Sequence, residues 1–114
     1  MTVQPDDAVA MLLDLPGVTE ADHHGRRSFR VGGGKVVATV PADGVLNVMA
    51  GEDVARAVTS GGADGVSLLW WGAKLSGVRV ELADVDPGVL DELVEDAWRR
   101  RAPKALRQET DGGS

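Results

Sequence analysis

Three consecutive glycines, Gly32-Gly33-Gly34, constrain this chain more than any other feature. They follow Ser28-Phe29-Arg30-Val31, in which Phe29 and Val31 fall on one face of a strand and Ser28 and Arg30 on the other. They precede Lys35–Val40, apolar at nearly every position, as in a central strand. Glycine supplies the positive-φ positions of a tight turn, so the pattern predicts a β-hairpin closed at Gly32–Gly34. A short strand over Val18–His24, ending at Gly25, precedes it. A returning strand over Val45–Ala50 follows the turn Pro41-Ala42-Asp43-Gly44. The simplest reading is a meander of three antiparallel strands.

Helices flank this region. Residues 5–15 place Ala8, Val9, Leu12, Leu13 and Leu15 on one stripe. Pro5 suits the first helical position, Asp6 and Asp7 complement the helix dipole, and Pro16-Gly17 ends the segment. Glu52–Ser60 reads as a short helix capped by Gly61-Gly62. A second strand pair follows, over about 65–71 and 77–82. The last helix opens on Asp86 as N-cap and Pro87 as first residue, and buries Val89, Leu90, Leu93, Val94, Ala97 and Trp98. Glu95 with Arg99 and Asp96 with Arg100 are i,i+4 pairs, and Pro103 stops the helix. The expected fold class is α+β, an antiparallel β-sheet packed by helices in the order α-β-β-β-α-β-β-α. One domain spans residues 1–106, and 107–114 form a polar, disordered tail.

Composition narrows the function classes. With no cysteine among 114 residues, disulfides, thiolate metal sites and cysteine catalysis are excluded. No signal peptide or membrane-length apolar run is present, so a cytoplasmic location without membrane contact is expected. Nine Arg against three Lys, with abundant Ala, Gly and Val, hints at a GC-rich bacterial genome. The net charge of −6 runs against a protein that binds nucleic acid mainly by neutralising phosphates.

Four segments, LPGVTE, HHGRRSFRVGGGKVVATV, WWGAKLSGVRVELADVD and LDELVEDAWRRRAPKAL, together resemble the MmcQ/YjbR family of small bacterial proteins over about residues 8–106. Gly25, Arg26, Ser28, Phe29 and Val31 match the family's G-R-x-S-F-x-V stretch. Trp71-Gly72 matches its W-G pair, and Ala102-Pro103-Lys104 its A-P-K. The chain departs from the family at His24, where an aromatic is common. It departs again at Leu75-Ser76-Gly77-Val78, where R-G-W-V is usual, so one wing lacks an Arg and a Trp. The resemblance implies a YjbR/CyaY-like fold with two hairpins called a double wing, and it implies DNA binding.

On that reading Arg26, Arg27, Arg30 and Lys35 grip phosphates from the first hairpin, and Lys74 and Arg79 extend the patch from the second. The same residues also fit a solvated hairpin balanced by Glu20, Asp22 and Asp43. Trp70 and Trp71 should fall on opposite faces, one in the core and one partly exposed, available to stack on a base or cover a partner. With Leu68 and Leu69 beside them, core or dimer packing is the simpler explanation.

His23-His24 does not form a shared metal site, because neighbouring strand residues point to opposite faces. A frataxin-like cation ridge of Asp6, Asp7, Asp14, Glu20 and Asp22 competes with the structural role of the helix-start carboxylates. Gly32-Gly33-Gly34-Lys35 lacks the Ser/Thr and following helix of a phosphate loop. Ser28 with His24 lacks a strained elbow and a third member. No enzyme activity and no cofactor are expected. The expected function is therefore a DNA-binding hairpin protein. The alternative is a protein-interaction, homodimer or small-ligand module without nucleic-acid affinity.

Overall fold

The computed structural model describes residues 3–106 apart from His24 and Gly33, with only the backbone at His23; the expected tail at 107–114 lies outside the described residues. The elements are α1 (Pro5–Leu13), β1 (Val18–His23), β2 (Arg26–Val31), β3 (Lys35–Ala42), β4 (Val45–Val48), α2 (Glu52–Ser60), β5 (Val66–Trp71), β6 (Lys74–Glu81) and α3 (Pro87–Arg101). The strands form one sheet in the order β1-β2-β3-β4-β6-β5, with every neighbouring pair antiparallel.

The α+β class holds, but the expected order is one strand short. Four strands, not three, precede α2. Gly25, at φ 80°, lets the chain turn between His23 and Arg26, which pair directly, so β1 and β2 make a hairpin of their own. β6 also begins earlier than expected. Gly72 (φ 60°) turns the chain so that Lys74 pairs with Trp71, and the weakly strand-like Leu75-Ser76-Gly77 is already in the sheet.

All three helices contribute to one apolar cluster on one face of the sheet. Phe29 and Val31, Leu46 and Val48, and Val78 and Val80 point into it, against Ala8 and Leu12 of α1, Ala55 of α2, and Leu90, Leu93, Ala97 and Trp98 of α3. The Trp98 indole N–H donates to the Pro16 carbonyl at 2.8 Å, so the one polar atom of this buried ring is satisfied and the α1–β1 turn is tied to α3. Asp86 caps α3 as expected, its Oδ2 accepting from the Gly88 and Val89 amides.

The two i,i+4 pairs of α3 diverge. Glu95 meets Arg99 at 3.3 Å. Asp96 and Arg100 instead reach the β4–α2 connection: Asp96 Oδ2 accepts from the Gly51 amide and Arg100 Nη1 donates to the Met49 carbonyl, both at 2.8 Å. Backbone groups left over at the end of β4 outcompete a surface ion pair of modest worth. Among the described residues, no helix is long and apolar enough to cross a membrane.

Candidate nucleic-acid interface

With the helices on one face, the other face of the sheet carries a polar row beside apolar side chains such as Val36, Val45 and Met49. Alternation along β2 sends Phe29 and Val31 to the core and Arg26, Ser28 and Arg30 to the open face. The register then carries one row across all six strands. Ala21 pairs with Ser28, Ser28 with Thr39, Thr39 with Asn47, Asn47 with Arg79, and Arg79 with Ser67. Ser28, Val45 and Met49 are buried although none belongs to the helix-side cluster.

Two depressions adjoin each other here. One, of about 330 Å³, is bordered by Arg26, Arg30, Thr39, Asn47, Met49 and Trp71. The other, of about 410 Å³, shares Val36, Met49 and Trp71 with it and adds Lys74, Arg100 and Arg101. Trp71 belongs to the tip of the β5–β6 hairpin, so that tip leans over the open face towards β2 and β3. Among the described residues lining the two depressions, Glu52 is the only carboxylate, and it is held by Arg56 at 3.0 Å. Many of the described carboxylates lie instead on the helices and their caps, and Glu81 on the open face is paired with Arg79. A net charge of −6 thus coexists with a cationic face.

The structure divides the expected site residues. Arg26, Arg30 and Lys74 lie around Trp71 in the two depressions. Among the described residues, neither Arg26 nor Lys74 makes an ion pair. Arg30 is positioned by its own hairpin, with Nε donating to Ser28 Oγ at 3.3 Å and Nη1 to the Gly34 carbonyl at 3.0 Å. Arg27 borders the first depression, but its guanidinium makes a bidentate pair with Glu20, at 2.6 and 2.8 Å, and lies 5.8 Å from the Phe29 ring centroid. Lys35 is exposed at the start of β3, opposite Val31, and borders neither depression. Arg79 shares the polar row but reaches Glu81 at 3.5 Å.

The expectation that one tryptophan enters the core is overturned. Trp70 is 46% and Trp71 64% exposed. β5 is an edge strand, and a register shift between Leu69 and Trp70 carries both rings past the end of the core. Trp70 lies against Arg56 of α2 at 5.8 Å, whereas Trp71 borders the depressions. The acidic ridge is not assembled into a site either: among the described residues, no three His, Asp or Glu side chains gather as metal ligands. His24 lies outside the described residues.

The bidentate hydrogen bonds from Arg27 hold the Glu20 carboxyl below its ordinary range, outweighing a small opposing effect of burial. Glu20 therefore ionises at lower pH in the folded chain than in the unfolded one. Its stabilising contribution is complete above the unfolded value near 4.5 and is lost as pH falls through the lowered folded value. The pair is exposed, so Glu20→Gln should cost no more than about 1 kcal/mol, measured by urea unfolding at pH 7. The difference from wild type should vanish in strong acid.

Sequence reasoning missed Thr39, Asn47, Met49, Arg100 and Arg101. Asn47 carried a readable signal, as the single polar residue within the apolar run Val45–Ala50. Local spacing points Arg100 at Asp96, and Arg101 carries no signal of a role on this face. No curated relative and no solved structure shows significant similarity to the chain. The family model described as YjbR matches residues 13–100. That span takes in both hairpins and most of α3, including Arg26, Ser28 and Trp71, and the chain belongs to the YjbR family.

Proposed function

We propose that the chain is a non-enzymatic DNA-binding protein whose contact surface is the open sheet face between the two hairpins. The observation that carries this reading is the exposed Trp71 ring, which borders two depressions together with Arg26, Arg30 and Lys74, with Glu52 the one carboxylate among the described residues lining them. A cationic groove that tracks the phosphates and an aromatic platform that accepts a base are the two elements of single-strand binding. Fluorescence anisotropy with labelled DNA, run across a salt series, tests it. With Arg26, Arg30, Lys74 and Arg101 as phosphate contacts, log K should fall against log salt with a slope of roughly −3 on a single strand. Absence of binding at low salt would overturn the proposal.

A second reading has its own observation. The edge strand β5 carries no charged residue and ends in two exposed tryptophans, which leaves it open to pairing with a second copy. Sedimentation at rising concentration would favour this reading if a dimer forms and Trp70→Lys disperses it.

A further inference from the structure

We infer that the 330 Å³ depression is a pocket for one unstacked base of a single strand, with Trp71 as its stacking wall and Asn47 as the group that meets the base edge. The inference rests on the DNA-binding reading and assigns the chemistry of its centre.

Its volume lies at the lower end of the range for small-ligand pockets, about 300–1,000 Å³. Ser28 cannot serve as the edge-reading group. Its hydroxyl already donates to the Ala21 carbonyl at 3.1 Å and accepts from Arg30. Asn47 differs, because among the described residues its buried Oδ1 has no hydrogen-bond partner. A buried acceptor left unpaired is unfavourable, so it marks a place where a donor is missing. The terminal torsion of Asn is broad and roughly twofold, and a half-turn exchanges oxygen for nitrogen at nearly constant shape. The amide can therefore offer the depression an acceptor or a donor, the two functions found on the pairing edge of every base.

Arg26 and Arg30 border the same depression and would take the flanking phosphates. A base within a duplex has its pairing edge occupied and its faces stacked, so it offers Asn47 and Trp71 nothing. The site therefore selects single-stranded over duplex DNA.

The test compares a labelled thymidine strand with an all-abasic strand of equal length and charge, a duplex, and free thymidine monophosphate as competitor. The full chain should bind the thymidine strand roughly tenfold more tightly than the abasic one, the scale of one stacked base. Trp71→Ala and Asn47→Leu should each remove most of that preference, while Arg26→Ala should weaken both strands alike. Thymidine monophosphate should compete poorly, because it brings a single phosphate.

Equal affinity for the thymidine and abasic strands would overturn the base pocket and leave DNA binding standing. Binding of neither would overturn both. Competition by the monophosphate at strand-like affinity would reassign the pocket to free nucleotides. An unchanged preference in Trp71→Ala would remove the proposed stacking wall. Trp71 is 64% exposed, so its replacement does not threaten the fold.

Discussion

Replacing Arg26, Arg30 and Lys74 together by alanine should lower affinity for single-stranded DNA at least tenfold at low salt and flatten its salt dependence. Each lost phosphate contact should reduce the slope by roughly 0.7 on a single strand. The three residues come from different parts of the chain, β2 and the start of β6, yet they border one pair of depressions around Trp71. Among the described residues, neither Arg26 nor Lys74 makes an ion pair or side-chain hydrogen bond that its removal would break. Arg30 does, through Ser28 and Gly34, and its loss should cost on the order of 1 kcal/mol of stability.

Thermal unfolding of the triple variant should therefore remain cooperative. Arg27→Ala is the matched control. It removes the same charge from the same strand, but a guanidinium committed to Glu20 should cost far less affinity than Arg26 does. Equal effects of Arg26→Ala and Arg27→Ala would mean that the hairpin acts as a diffuse patch and not as a directed face.

The largest effect on stability should come from Gly77→Ala. A methyl group at Gly77 would collide with the Val48 carbonyl and would lie 3.1 Å from Met49 Cα. Both are backbone atoms, at the end of β4 and just beyond it, and β6 sits between β4 and β5, so it cannot swing outward to make room. Separating β6 from β4 would break the ladder from Val45–Glu81 to Val48–Val78. The expected cost is about 3 kcal/mol, at the severe end for a single added methyl group. The midpoint of thermal unfolding should fall by roughly 10–20 °C in a domain of this size. Gly62→Ala, at φ 78° with open space around it, isolates the backbone term and should cost only about 1 kcal/mol. Near-identical melting of the two variants would contradict the close β4–β6 approach.

Much of this architecture is readable from local chemistry. Asp86-Pro87 announces α3, and the alternation of Phe29 and Val31 against Ser28 and Arg30 assigns the two faces of β2. The rest depends on contacts between distant segments. Asp96 and Arg100 have ideal spacing for each other and are drawn instead to the Gly51 amide and the Met49 carbonyl, which local spacing cannot reveal.

The two tryptophans follow the same logic. Alternation predicts opposite faces, but burial depends on β5 lying at the sheet edge and on the shift after Leu69. Arg26, Arg27 and Arg30 lie close in sequence and are equal in charge. Alternation sets Arg27 on the other face of β2 from Arg26 and Arg30, and Glu20, brought across from β1, holds it there. Trp71 shares a depression with Arg26 and Arg30 only because the tip of the second hairpin reaches towards β2 and β3.

The central claim, that the open sheet face is the binding face, is tested most directly by following backbone amide and indole NMR signals while a short thymidine strand is added at low salt. The account predicts shifts at Arg26, Ser28, Arg30, Thr39 and Asn47 and at the Trp71 indole, with α1 and the outer surface of α3 unaffected. Shifts confined to the helices or to the β5 edge, with the Ser28–Thr39–Asn47 row silent, would contradict it.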